Sequence, residues 1–174
     1  MSLQGKTLFI SGASRGIGLA IAKRAARDGA NVAIAAKTAE PHPKLPGTIY
    51  TAAQEIEEAG GTALPVLCDI RFEDQVQAAV QATVDKFGGI DIFVHSAGIR
   101  RVNSLLETSL KEWREVMGTN LDAAFLCSKA VVPHMKPKMG RLIYVSGVSA
   151  FRGSSHRAHV VASKAGLVGL ARSL

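Results

Sequence analysis

Gly12-Ala13-Ser14-Arg15-Gly16-Ile17-Gly18 stands between an apolar run at residues 7–10 and a segment with helical spacing at residues 19–28. A backbone that leaves a strand, turns sharply and approaches a pyrophosphate needs glycine, because a side chain blocks the turn or the ligand. The N-terminus of the following helix offers free N–H groups and a positive dipole end to phosphates. Strand, turn and helix in this order predict that these residues bind a dinucleotide.

The rest of the chain repeats this alternation of apolar runs and helical segments. Further strands are predicted at residues 31–35, 63–68, 90–94 and 141–146, and further helices at residues 49–59, 73–87, 110–134 and 158–174. Residues 110–134 form one long helix or two abutting ones, and residues 38–47, which contain three prolines, form a loop. The pattern predicts an α/β protein of Rossmann type, with a doubly wound parallel sheet in three α/β/α layers. All of residues 1–174 are assigned to one domain.

Composition excludes several classes of function. No apolar stretch approaches the length of a bilayer span, so no membrane partner is predicted. The net charge is +7, but the basic residues are scattered with few aromatics among them, which favours anionic ligands over nucleic acid. Cys68 and Cys127 lack metal-like spacing and suit a reducing compartment, so a cytoplasmic location is predicted.

The end of the second strand bears on which nicotinamide cofactor is bound. An acidic residue there would hold the ribose hydroxyls of NAD, but the sequence is Ala35-Ala36-Lys37. Lys37 and Arg15 are suited to neutralise the 2′-phosphate of NADP, although both also fit ordinary solvated charges. NADP is therefore the predicted cofactor.

The motifs taken together resemble the short-chain dehydrogenase/reductase family. The resemblance is carried over essentially the whole chain by Ser11 to Gly18, Cys68-Asp69-Ile70, Ser96-Ala97-Gly98, Met117-Gly118-Thr119-Asn120 and Ala162-Ser163-Lys164-Ala165-Gly166. The first half, residues 36–47 above all, resembles the hydroxysteroid dehydrogenase-like protein 2 subgroup. The second half is more similar to 3-oxoacyl-carrier-protein reductases.

The resemblance implies positions for the cofactor and a catalytic set of Asn, Ser, Tyr and Lys. Asp69 and Ile70 are expected at the adenine, and the turn at Ser96, Ala97 and Gly98 beside the adenosine ribose. The family tyrosine gives a proton to the carbonyl oxygen, and the lysine holds the nicotinamide ribose and lowers the tyrosine pKa. Asn120 and Lys164 match this set.

The other two catalytic positions depart from the family pattern. The tyrosine position is Val160, which has no proton to give, and the serine position is Gly147. Ser146 and Ser149 are near neighbours of Gly147, and Ser146 is the candidate hydroxyl. The usual asparagine pair before Ala97 is replaced by His95-Ser96.

Histidines provide two further possibilities. His156 and His159 are the nearest alternatives for the missing proton donor, and His95, His156 and His159 together suggest a zinc site. The sequence favours ordinary structural roles for all three, because adjacent helical positions point about 100° apart and no supporting carboxylate or thiolate spacing is present. No metal site is therefore predicted.

The resemblance implies strands beyond Leu174, so the sheet is expected to lack the family's C-terminal strands and to cover its edge by self-association. The helices at residues 110–134 and 158–174 are the expected dimer or tetramer face. The functional prediction is an NADP(H)-dependent oxidoreductase acting on a small carbonyl or alcohol substrate, impaired by Val160 and Gly147. The alternative is a catalytically silent domain that binds nucleotide or serves structure and oligomerisation.

Overall fold

A computed structural model describes residues 2–43, 45–135 and 140–174, so Lys44 of the predicted loop lies outside the described residues. Five strands form one sheet in the order β3-β2-β1-β4-β5, and every neighbouring pair is parallel. The strands are β1 (Thr7–Ser11), β2 (Asn31–Ala36), β3 (Thr62–Leu67), β4 (Ile92–His95) and β5 (Arg141–Tyr144). The predicted doubly wound α/β fold is confirmed.

Helices cover the sheet. They are α1 (Gly16–Arg27), α2 (Ile49–Glu58), α3 (Glu73–Phe87), α4 (Leu110–Met117), α5 (Ala123–Val131), α6 (Ser149–Arg152) and α7 (Ala158–Ser173). The helix predicted at residues 110–134 changes type along its length, because a π-helical turn (Gly118–Asp122) joins α4 to α5 and a 3-10 turn (Val132–His134) follows. The strand predicted at residues 141–146 ends at Tyr144, and the short α6 was not predicted.

The core consists of two apolar layers, one on each face of the sheet. Alternate residues of each central strand point to opposite layers: Leu8 and Ile10 join α1 and α2, whereas Phe9 joins α3 and α5. All five residues of β1 are buried, which explains why Leu8, Phe9 and Ile10 in its middle are apolar without alternation.

The fold places the carboxyl ends of β1 and β4 side by side, with Ser11 opposite His95. The chain leaves β1 towards β2 on one side, and β4 lies on the other, so the strand order reverses at this point. Ligands of open α/β sheets bind in the crevice that such a reversal leaves outside the strand ends. No helix within residues 2–43, 45–135 and 140–174 is both long and apolar enough to cross a membrane.

Candidate active site

The glycine loop, residues 12–18, makes close contacts with neighbouring backbone. Gly12 has φ +75°, and a Cβ atom there would stand 2.6 Å from the Cα of Ala97. A Cβ on Gly18 would stand 2.5 Å from the carbonyl oxygen of Gly12. Both positions therefore exclude any larger residue. Arg15 precedes α1 without a side-chain cap, so the first N–H groups of the helix keep their hydrogen-bonding capacity for a ligand.

A cavity of about 630 Å³ lies over the carboxyl ends of the strands. Its wall contains most of the residues predicted from sequence to bind the cofactor: Gly12, Ser14, Arg15, Ile17, Lys37, Asp69, Ile70, Ser96, Ala97 and Gly98. Residues that sequence reasoning did not assign to the site also line it, among them Leu45, Ile99, Arg101, Glu115 and Thr119. A cavity of this size, with the glycine loop at one side, fits a dinucleotide cofactor.

Charged groups in the cavity wall are partly paired. Arg71 donates hydrogen bonds to both carboxylate oxygens of Asp69, and this contact holds the pKa of Asp69 below its usual range. Lys37 is exposed, has no hydrogen-bond partner among the described residues, and contributes a smaller electrostatic effect that lowers the pKa of Asp69 further. The cationic side chains Arg15, Lys37 and Arg101 give this wall a positive balance suited to phosphate.

Asn120 and Lys164 meet at the other end of the loop formed by Ser96, Ala97 and Gly98. A Cβ atom on Gly98 would stand 3.2 Å from Asn120 Oδ1 and 3.5 Å from Lys164 Nζ. The Asn120 amide is buried within the π-helical turn: Oδ1 accepts from the N–H of Ile99 at 2.8 Å, and Nδ2 donates to Ser163 Oγ at 3.0 Å. The structure thus brings together the two residues that match the family's catalytic set.

Lys164 is held in place by the backbone of the preceding strand and turn. Its Nζ donates to the Val145 carbonyl at 2.7 Å, and burial lowers the pKa of the ammonium group. Ser146 Oγ donates to the Lys164 carbonyl at 2.9 Å, so this predicted catalytic hydroxyl is engaged with the backbone of α7. A Cβ on Gly147 would stand 3.7 Å from Ser149 Oγ, so Ser149 contacts the position of the family serine. The sequence predicted Ser146 as the catalytic hydroxyl and named Ser149 only as a neighbour of Gly147.

Val160 lies in the first turn of α7 and is 8% exposed. Ser163, one turn later, donates to its carbonyl oxygen. The valine side chain has no titratable or hydrogen-bonding atom, so no proton donor stands at this position.

Two histidines lie just before Val160 in the chain, and the buried one, His159, has a side-chain partner. His159 is fully buried and its Nε2 lies 3.2 Å from Glu112 Oε1, while Asn103 Nδ2 donates to the other carboxylate oxygen of Glu112. His156 is exposed and has φ +58°. In the described parts of the chain, no three His, Cys, Asp or Glu side chains are grouped so as to hold a metal ion.

His95 is a buried titratable group at the end of β4. Its Nδ1 lies 3.0 Å from Ser11 Oγ, and its Nε2 has no hydrogen-bond partner in the described part of the chain. Burial, assisted by the charge of Lys164, lowers the pKa of His95 to about 4 from an ordinary 6.5. The ring is therefore neutral at physiological pH, and protonating it opposes folding.

We expect acidification to destabilise the protein through His95. Between pH 6.5 and about pH 4, His95 binds a proton in the unfolded chain but not in the folded chain. The folded state therefore loses stability as the pH falls through this window. The loss attributable to this group is about 3 kcal/mol. Denaturant unfolding across this pH range should show a smaller decline for His95→Asn than for the unmodified protein. Parallel declines in the two proteins would contradict the assignment.

Comparison with known proteins identifies relatives along the whole chain. The sequence model of a family described as short chain dehydrogenase matches residues 6–174. Hydroxysteroid dehydrogenase-like protein 2 from Xenopus laevis is 60% identical over 134 residues, which are 77% of this chain and 32% of that relative. The protein of the same name from Homo sapiens is 52% identical over 145 residues, which are 83% of this chain and 35% of that relative. The chain therefore spans about a third of the length of these curated relatives.

Solved structures agree with this comparison. A short chain dehydrogenase from Mycobacterium thermoresistibile superposes with a TM-score of 0.92 at 49% identity, covering 99% of this chain and 64% of that one. A structure described as a dehydrogenase from Xanthomonas campestris gives a TM-score of 0.90 at 47% identity, covering 99% of this chain and 66% of that one. The resemblance noted from the sequence motifs is thereby confirmed.

Proposed function

The chain belongs to the short chain dehydrogenase family, and from this membership we propose that it binds NADP(H) and transfers hydride between the nicotinamide and a small carbonyl or alcohol substrate. The proposal is carried by the cavity, which extends from the glycine loop at Gly12 to the turn at Gly98. Asn120 and Lys164 lie beside this turn. When bound, the nicotinamide supplies or accepts the hydride.

The chain's own residues would bind and orient the two reactants. The N-terminus of α1 and the glycine loop would hold the pyrophosphate, and Lys37 would neutralise a 2′-phosphate. Lys164, fixed by the Val145 carbonyl, would keep a cation beside the ribose and the reacting carbonyl. Carbonyl reduction also needs a proton on the oxygen, and neither Val160 nor Gly147 supplies one. We therefore propose tight cofactor binding with slow turnover.

A second candidate function follows from the same two positions. Because Val160 and Gly147 remove the proton donor and the hydroxyl that polarises the carbonyl, the domain is also suited to bind nucleotide without catalysis. A broad panel of carbonyl compounds offered with NADPH separates the two candidates: measurable reduction supports the enzyme, and binding without any reduction supports the silent domain.

Self-association in a dimer or tetramer and a cytoplasmic location are also part of the proposal. Leu110 on α4 and Phe125 on α5 are 62% and 51% exposed, which supports an apolar contact face on these helices.

Cofactor binding is tested most directly at Gly12. We expect Gly12→Ala to weaken NADP(H) binding at least ten-fold, by about 1.4 kcal/mol or more. The added methyl group would collide with Ala97 and displace the glycine loop. Gly88→Ala is the matched control, since Gly88 has nearly the same φ of +74° but its Cβ would meet nothing within 4 Å. Fluorescence titration with NADPH measures both variants. No NADP(H) or NAD(H) binding by the unmodified protein would refute the proposed function.

A further inference from the structure

Arg15 is bonded to the loop between β2 and α2. Its Nε donates to the Pro46 carbonyl at 2.8 Å and its Nη2 donates to the Gly47 carbonyl at 2.8 Å. One edge of the guanidinium group is therefore used within the protein, although the sequence suggested this residue as a direct phosphate ligand. Such a two-pronged contact depends on the fixed geometry of arginine.

The same loop lies directly against the glycine loop at a second point. Gly47 has φ +84°, and a Cβ atom there would stand 2.6 Å from the carbonyl oxygen of Ser14. Immediately afterwards, Thr48 caps α2 by accepting hydrogen bonds from the N–H groups of Tyr50 and Thr51. These contacts fix residues 46–48 between the glycine loop and α2, and we call this segment together with the preceding Leu45 the clasp.

The clasp contributes to the cofactor cavity. Leu45 lines the cavity wall together with Arg15 and Thr38, and it is 49% exposed. An apolar side chain at the rim of a polar cavity is suited to cover a nucleoside. The ends of the loop are joined as well, because the N–H of Ile49 donates to the Thr38 carbonyl at 2.9 Å.

We propose that Arg15 is a positioning residue that holds the clasp against the glycine loop, so that Leu45 would cover the adenosine end of the cavity when either cofactor is bound. Discrimination between NADP and NAD then falls to Lys37, whose ammonium group is exposed in the same cavity and makes no hydrogen bond within the described residues. The proposal rests on the proposed nicotinamide cofactor function. Arg15 and Lys37, which have the same expected role in the sequence, thus have different roles in the folded protein.

The test compares the dissociation constants of NADP⁺ and NAD⁺ for three variants. Arg15→Lys keeps the positive charge but cannot bridge two carbonyls, so both cofactors should bind about ten-fold more weakly with their affinity ratio unchanged. Gly47→Ala disturbs the clasp without altering any charge and should give the same pattern. Lys37→Ala should weaken NADP⁺ alone.

Amide hydrogen exchange supplies a readout that does not depend on turnover. In the ligand-free protein, exchange across residues 45–51 should be faster in Arg15→Lys and Gly47→Ala and unchanged in Lys37→Ala. Saturating NADP⁺ should slow exchange in this segment of the unmodified protein, and much less in Arg15→Lys. Loss of NADP⁺ affinity alone in Arg15→Lys, or unchanged exchange in that variant, would overturn the positioning role. A protein that binds neither cofactor would refute the proposed function, while the ligand-free exchange rates would still decide whether Arg15 holds the clasp.

Discussion

Replacing Gly147 by serine and Val160 by tyrosine in the same chain should raise the rate of NADPH-dependent carbonyl reduction by a factor of about 10²–10⁴. The tyrosine hydroxyl supplies the missing proton, and the serine hydroxyl donates a hydrogen bond to the carbonyl oxygen as negative charge develops on it. Lys164 already stands one helical turn after position 160, with its Nζ fixed by the Val145 carbonyl, so it can lower the pKa of the introduced phenol.

The surroundings accept these side chains to different degrees. A Cβ at position 147 would meet Ser149 Oγ at 3.7 Å, an ordinary contact distance. Val160 is 8% exposed, so the larger tyrosine ring needs space that the valine side chain does not occupy. The double variant Gly147→Ala with Val160→Phe is the control, because it adds nearly the same volume without either hydroxyl and should bring no gain.

The measurement is NADPH oxidation with the same panel of carbonyl compounds. Fast turnover by the unmodified protein, surviving loss of both His156 and His159, would show that a different donor occupies the site. In that case Ser149→Ala tests whether the hydroxyl nearest to Gly147 takes part.

The unmodified protein should bind NADP(H) more tightly than NAD(H) by about 1–3 kcal/mol, the contribution expected of one charge-assisted contact to the 2′-phosphate. Ala36→Asp combined with Lys37→Ala should reverse this order. Ala36 ends β2 and lines the cavity, so a carboxylate there can accept hydrogen bonds from the ribose hydroxyls of NAD and repel a phosphate.

The uncharged double variant Ala36→Asn with Lys37→Ala is the control for this reversal. It has the shape of the aspartate variant without its charge, so it should remove the preference for NADP(H) without creating a strong one for NAD(H). Titration of all three proteins with both cofactors under one ionic strength measures the effect. Equal affinity of the unmodified protein for the two cofactors would contradict the assignment of Lys37.

The fold and most of the residues that line the cavity over the strand ends were predictable from the amino-acid sequence alone. Buried parallel strands are largely apolar, and Gly12, Gly16 and Gly18 lie within seven residues. Both patterns can therefore be recognised in short stretches of sequence. The bounds of α3 were predicted to the residue, because Gly88 ends that helix in the left-handed conformation. The replacement of the family tyrosine by Val160 was also evident from its spacing to Lys164.

The contacts of individual side chains in the site are evident only from the folded structure. Arg15 bonds to carbonyls more than thirty residues away, and Glu112 meets His159 from a different helix. The π-helical turn that buries Asn120 was not predicted within the helical segment at residues 110–134. These contacts depend on how separate elements pack, and a single hydrogen bond between distant residues has no periodic signature in the sequence. For the same reason, sequence spacing could not show that Ser146, the candidate hydroxyl, donates to the Lys164 carbonyl of α7.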